Sequence, residues 1–176
     1  MNNIDTSIKF IPINIGLITI SDSRVEENDK SGNLLKDRIE SFGHIVLKKI
    51  IIRDDIIQIK KTIKEFSKDP KIDTIISTGG TGLTGRDSTP EAILELSEKI
   101  IDGFGELFRQ LSFKKIGTST IQSRAIGAVI NHTYIFALPG SPGACKDGWD
   151  DILQYQLDIR HKPCNFIEIM QRLKEK

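Results

Sequence analysis

Apolar and polar residues fall along this chain in blocks of two kinds. Ile13-Asn14-Ile15-Gly16-Leu17-Ile18-Thr19-Ile20 is short and rich in branched apolar residues, and reads as a buried strand. Ser21 to Ser31 is polar and charged, a loop. Leu35, Ile39 and Phe42 then recur at helical spacing, and Gly43 stands where the residue after a helix belongs. Ile45 to Ile52 reads as a second strand. Ile56, Ile59, Ile63 and Phe66 mark an amphipathic helix that Pro70 closes, and Thr74 to Thr78 is a third strand. Pro90 to Leu96 opens another helix, and Phe104, Leu107, Phe108 and Leu111 form a further helical face. Ala128-Val129-Ile130 and Tyr134 to Leu138 read as a hairpin around Asn131-His132-Thr133. After Pro139-Gly140-Ser141-Pro142-Gly143 a last long helix carries Cys145, Trp149, Ile152, Leu153 and Leu157 on one face.

A βαβαβ order implies parallel strands joined by right-handed crossovers. The expectation is one α/β domain over residues 13–176, preceded by a loose arm over residues 1–12. At 176 residues the chain can bury a full core. The balance of 25 basic and 24 acidic residues leaves no electrostatic footprint for nucleic acid or an anionic membrane. No apolar run reaches the length of a membrane-spanning helix, and Met1 to Asp5 lacks the pattern of a secretion signal. Cys145 and Cys164 lack framework spacing, which fits a reduced cytoplasmic protein.

The candidate chemistry sits at the third strand. Ile75-Ile76-Ser77-Thr78 runs into Gly79-Gly80-Thr81-Gly82-Leu83-Thr84-Gly85-Arg86-Asp87 and then into a helix start. Glycines let the backbone bend tightly and turn N–H groups toward a ligand, and a helix N-terminus adds its positive end. That is the chemistry of a phosphate cradle. Asp87 would repel such a ligand unless a cation lies between them, which points to Mg²⁺. The loop formally fits a dinucleotide fingerprint, but follows the third strand and lacks the acid expected about 20 residues on at a strand end. It is also close to a P-loop, with Arg86 and Asp87 in place of the Lys and hydroxyl residue.

Other residues have structural and functional readings side by side. Ser88 with Glu91 fits a capping box, and Thr89-Pro90 fits an N-cap followed by Pro. One of Asp54 and Asp55 caps the following helix. The carboxyl ends of parallel strands share one crevice, so Asp54, Ser21-Asp22-Ser23 and the loop of Asp87 lie on one edge. Gly117-Thr118-Ser119-Thr120 and Ser123-Arg124 bind an anion or cap a helix. Pro139-Gly140-Ser141 shapes a pocket wall or turns the chain. His44, His132 and His161 read as surface, edge or turn residues, and no Ser-His-Asp or Cys-His arrangement is evident.

Together these stretches resemble the MoaB/MogA family of molybdenum cofactor biosynthesis proteins, to which a domain of gephyrin is related. The resemblance rests on Ile18 to Ser23, Arg53-Asp54-Asp55, Ser77 to Ala92, Gly103-Phe104-Gly105-Glu106, Gly117 to Ala125 and Leu138 to Pro142. Leu111 to Ala125 and Arg160 to Phe166 look closest to the MoaB branch.

The resemblance implies a three-layer αβα sandwich with a mostly parallel central sheet. It implies homo-oligomers, either trimers or hexamers of paired trimers. It also implies binding of molybdopterin, a pterin dithiolene with a phosphate that active members adenylylate with Mg²⁺-ATP, releasing pyrophosphate. Asp54 and Asp87 match the family's two catalytic, metal-holding aspartates. Ser21, Asp22, Thr78, Gly79, Gly80, Thr81, Gly82, Arg86, Ser123, Arg124, Pro139, Gly140 and Ser141 are the corresponding substrate-binding candidates. The alternative is a non-catalytic oligomer that stores or delivers the pterin.

Overall fold

The computed structural model describes residues 3–175, so the ends of the expected arm and domain, Met1, Asn2 and Lys176, lie outside the described residues. Six strands form the central sheet: β1 (Asn14–Ile20), β2 (Ile45–Ile52), β3 (Thr74–Thr78), β4 (Lys99–Ile100), β5 (Ile126–Ile130) and β6 (Thr133–Leu138). Their spatial order is β2-β1-β3-β6-β5-β4. β2, β1, β3 and β6 pair in parallel. β5 runs antiparallel to both of its neighbours, β6 and β4.

Alternation along the strands sends side chains to two faces. Ile15, Leu17, Ile76, Phe136 and Leu138 meet Leu35 and Ile39 of α1 (Lys30–Phe42), and Phe104 and Phe108 of α4 (Asp102–Ile116). Cys145 of α5 (Pro142–Gly148) and Trp149 complete that layer. Ile18, Ile20, Ile75, Ile135 and Ala137 meet Ile59, Ile63 and Phe66 of α2 (Ile56–Lys68), and Ala92 and Ile93 of α3 (Thr89–Leu96). The result is an α/β domain, as the sequence pattern predicts, and the three-layer αβα sandwich that the family resemblance implies.

Local signals explain the element ends. Gly43 closes α1 with φ 109°, and Asp55 caps α2 by accepting the Gln58 amide at 2.8 Å. Asn131 and His132 adopt positive φ, the geometry of a tight hairpin turn, so Thr133 belongs to β6.

Several expectations need correction. The segment before β1 is docked: Asn3–Ile4 pairs antiparallel with His161–Lys162, and Phe10 packs edge-on against Phe42 and lies beneath the Arg160 guanidinium. β4 was not expected, because two exposed residues carry no periodic signal. The last helix is interrupted by a π-helical stretch over Trp149–Leu153 and ends by Leu157. His44 and His161 are buried rather than superficial. His44 stacks among Phe10, Phe42 and Trp149, and its Nδ1 accepts the Ile13 amide. Among the described residues no helix is long and apolar enough to cross a membrane.

Candidate functional site

β1 and β3 are neighbours in the sheet, yet the chain passes through β2 between them, and β3 is followed in space by β6. Their carboxyl ends therefore open onto one crevice, where α/β folds place ligands. A cleft of about 600 Å³ lies there. Ser21 and Asp22 reach it from β1, and Asp54 from β2. Thr78, Gly79, Gly80, Thr81, Gly82, Arg86 and Asp87 reach it from β3, and Pro139, Gly140 and Ser141 from β6. Ser123 closes the side.

The glycine loop is forced into shape by what surrounds it. Gly79 has φ 101°, and a Cβ there would sit 2.1 Å from the Ile20 carbonyl oxygen. Gly80 has φ 63°, and a Cβ there would meet Thr89 Oγ1 at 2.3 Å and the Asp54 carboxylate at 2.9 Å. Only glycine fits either place. Behind the loop, Thr89 donates its hydroxyl to the Gly79 carbonyl (3.1 Å) and its amide to the Gly80 carbonyl (3.0 Å). In a trans peptide the next N–H points opposite to the carbonyl. The Gly80 and Thr81 amides thus turn away from Thr89, toward the cleft their residues line.

The opposite wall is pinned in the same manner. Thr78 Oγ1 donates to the Pro139 carbonyl at 3.1 Å, and Ser31 Oγ to the Gly140 carbonyl at 2.9 Å. Ser31 was not expected in the site, because it lies in a polar stretch read as loop. Phe108, Ser112, Ile116 and Gln122 were missed as well, whereas Ser119, read as an anion contact or a cap, does line the cleft. The missed residues come from α4 and the 3₁₀ turn after it, which approach the cleft through tertiary packing with no local chemical signal.

Asp22, Asp29, Asp54 and Asp87 line the cleft, and Asp29 is committed to the Thr19 hydroxyl, the Gly32 amide and Lys49, which leaves three carboxylates for a ligand. Asp55 caps α2, which leaves Asp54 free to point inward. Burial holds the Asp54 carboxyl above its ordinary range, the charges of Asp87 and Asp22 push it the same way, and the Ser88 amide opposes them. Asp87 is held below its ordinary range, chiefly by the Thr84 hydroxyl, which together with the Thr84 amide donates to its Oδ2. Asp22 pairs with Arg86 across the mouth at 3.2 Å and accepts the Asp54 amide at 3.3 Å.

Among the described residues no three His, Cys, Asp or Glu side chains form a metal cage. Asp54 and Asp87 nevertheless offer the hard oxygen donors that Mg²⁺ takes when phosphate oxygens and water complete its shell. Their mutual repulsion would be relieved by a cation, so the donor set fits the ion.

Two expectations change here. Arg124 does not line the cleft. Its guanidinium lies behind the loop, donating to the Thr81 carbonyl at 3.3 Å and the Asp87 carbonyl at 2.8 Å and pairing with Glu91. Ser88 makes no side-chain cap, and Glu91 is taken by Arg124, so the capping box does not form.

A larger hollow of about 870 Å³ opens at the other end of the sheet, between the α2–β3 loop, the β5–β6 turn and a short C-terminal helix over Phe166–Met170. It has no comparable loop or set of strand-end carboxylates.

The comparisons with known proteins agree with one another. A family model described as "probable molybdopterin binding domain" matches residues 16–159. Molybdenum cofactor biosynthesis protein B of Escherichia coli (strain K12) is 46% identical over 160 residues, covering 91% of this chain and 94% of that protein. A crystal structure of a molybdenum cofactor biosynthesis protein B superposes with TM-score 0.85 at 36% identity, over 94% of this chain and 98% of that one. The tungsten cofactor synthesizing protein MoaB from Pyrococcus furiosus superposes with TM-score 0.71, also at 36% identity, over 80% of this chain and 90% of that one. About four-fifths of the chain lies within the matched region, and the chain belongs to the molybdopterin-binding-domain family of molybdenum cofactor biosynthesis proteins.

Proposed function

We propose that the chain binds molybdopterin in this cleft and transfers an adenylyl group from Mg²⁺-ATP to the pterin's phosphate. The observation that supports the reading most directly is the convergence of Asp54 and Asp87 on a loop whose Gly80 and Thr81 amides face the same cleft. A phosphate oxygen of molybdopterin attacks the α-phosphorus of ATP. The bond from that phosphorus to the α,β-bridging oxygen breaks, and pyrophosphate leaves with the electron pair.

Two anions must meet, so the work is alignment and charge neutralisation. The loop amides hold phosphate oxygens. Asp54 and Asp87 hold Mg²⁺, which when bound supplies positive charge against the triphosphate. Neither aspartate acts as a base, because a phosphate monoester is largely ionised at neutral pH. Arg86, paired to Asp22 and largely exposed, is the cation at the mouth. Removing Mg²⁺ with EDTA should weaken ATP binding, since Asp54, Asp87 and the triphosphate would then repel one another. We place the reaction in the cytoplasm, on a trimer or hexamer of this chain.

A second reading is a non-catalytic binder that stores or delivers molybdopterin. The engagement of Asp87 Oδ2 by Thr84 favours it, because a carboxylate committed to its own loop has less capacity for a metal. A single-turnover assay with molybdopterin, ATP and Mg²⁺ separates the two. Adenylylated pterin and pyrophosphate in equal amounts are the expected products. Pterin that binds yet stays unmodified would establish the binder.

A further inference from the structure

Arg124 was expected to meet an anion, yet its side chain is folded behind the glycine loop with only 26% of it exposed. Its fork spans two carbonyl groups near the two ends of the loop, those of Thr81 and Asp87. Each carbonyl is one end of a rigid trans peptide whose N–H points the other way. Gly82, which carries the N–H of the Thr81–Gly82 peptide, packs against the Asp87 carboxylate, so closely that a Cβ there would lie 2.7 Å from Oδ2. The N–H of the Asp87–Ser88 peptide reaches Asp54 Oδ1 at 3.4 Å. One guanidinium therefore grips the back of the two peptides whose fronts address the two aspartates. Between these points Leu83, Thr84, Gly85 and Arg86 are exposed, and the loop's own restraint there is the three hydrogen bonds between Thr84 and Asp87.

We propose that Arg124 is a positioning residue, and that its two-point grip on the Thr81 and Asp87 carbonyls sets where the carboxylates of Asp87 and Asp54 stand. The catalytic consequence rests on the adenylyl-transfer reading; the grip itself does not. Glu91 acts from the outer side, fixing the guanidinium by charge so that its remaining N–H groups aim at the carbonyls. The demand is for a planar fork, which lysine lacks. This separates a positioning role from a need for positive charge alone.

The test uses the full chain with Arg124→Gln and Arg124→Lys. Amide hydrogen exchange at Gly82 and Ser88 reads the grip without any substrate. Both variants should speed exchange at one or both amides by about tenfold or more, as local opening becomes easier. Arg124→Lys keeps the stem and the charge, so it decides the matter should the Gln variant fail to fold. The single-turnover rate should fall by about 10²-fold in either variant, the cost of misplaced groups. Methylguanidinium added to Arg124→Ala should restore part of it, which a global loss of stability would not allow. Wild-type protection at both amides in Arg124→Lys, or wild-type turnover in that variant, would overturn the proposal. A wild-type chain that transfers no adenylyl group would instead sink the functional reading and leave the exchange measurement to decide the grip.

Discussion

The main-chain nitrogen of Ser88 lies 3.4 Å from the carboxylate of Asp54, so the start of α3 closes onto the end of β2. Asp54 is thereby drawn into a partly buried place beside two other acids, and that is costly for a charge.

The first prediction follows from that cost. Burial, then Asp87 and Asp22, raise the folded-state pKa of Asp54 above the ordinary 3.8. The folded protein then binds the proton more firmly than the unfolded chain. The stability that Asp54 contributes is greatest in acid and declines as pH rises from about 3.8 through the folded value. Asp54→Asn should therefore melt higher than the wild type at neutral pH, with the gain shrinking toward about pH 4. It should also lose adenylyl transfer. Thermal melts at the two pH values check it, and a lower melting temperature at neutral pH would contradict it.

Asp87→Asn tests the other acid. Asn can still accept the Thr84 amide and hydroxyl, so the loop should hold, and the melting temperature should fall only slightly with the lost charge. Loss of the charge should reduce transfer by on the order of 10²-fold, the size of one electrostatic element in a site. Turnover measured beside stability on one preparation is the informative pair. Near-normal turnover would remove Asp87 from the mechanism and favour the binder.

His44 should set part of the acid sensitivity. Burial lowers its pKa from 6.5 to about 4. The unfolded chain thus takes up the proton first as pH falls. Stability is intact above about 6.5 and is lost as pH drops toward about 4, by on the order of 3 kcal/mol. Replacing His44 with Gln should flatten that limb of the stability curve in denaturant titrations. An unchanged limb would assign the loss to other groups.

Assembly is the fourth expectation. Phe113 and Ile116 are each 56% exposed and Ile121 is 83% exposed, on the end of α4 and the turn beyond it. Scattered apolar residues are ordinary on a surface, whereas a cluster of this kind marks a contact. Light scattering at micromolar concentration should show a trimer or hexamer, and Ile121→Lys should shift it toward monomer. Monomer alone for the wild type would refute the assembly.

The strands, the main helices and the strand-end chemistry are legible in the sequence, because burial on two faces imposes its period directly. Asp54 against Asp55 is a different case. Both suit a cap, and only the register of α2 decides that Asp55 takes it and Asp54 turns inward. Arg124 was misread for a related reason. A cation near a phosphate loop looks like a ligand contact, and its partners here are backbone carbonyls that no side-chain pattern reveals. The α4 wall of the cleft and the histidines of the core depend on packing between distant segments, which composition does not record.

The loop's glycines are unequal in a way that bears on how relatives should be searched for. A methyl group at Gly79 or Gly80 collides with backbone or with Thr89, whereas a Cβ at Gly85 meets nothing within 4 Å. Natural variation should accordingly reach position 85 while sparing 79 and 80. A search pattern that demands glycine at all three would discard genuine members, and one anchored on the first two would keep them.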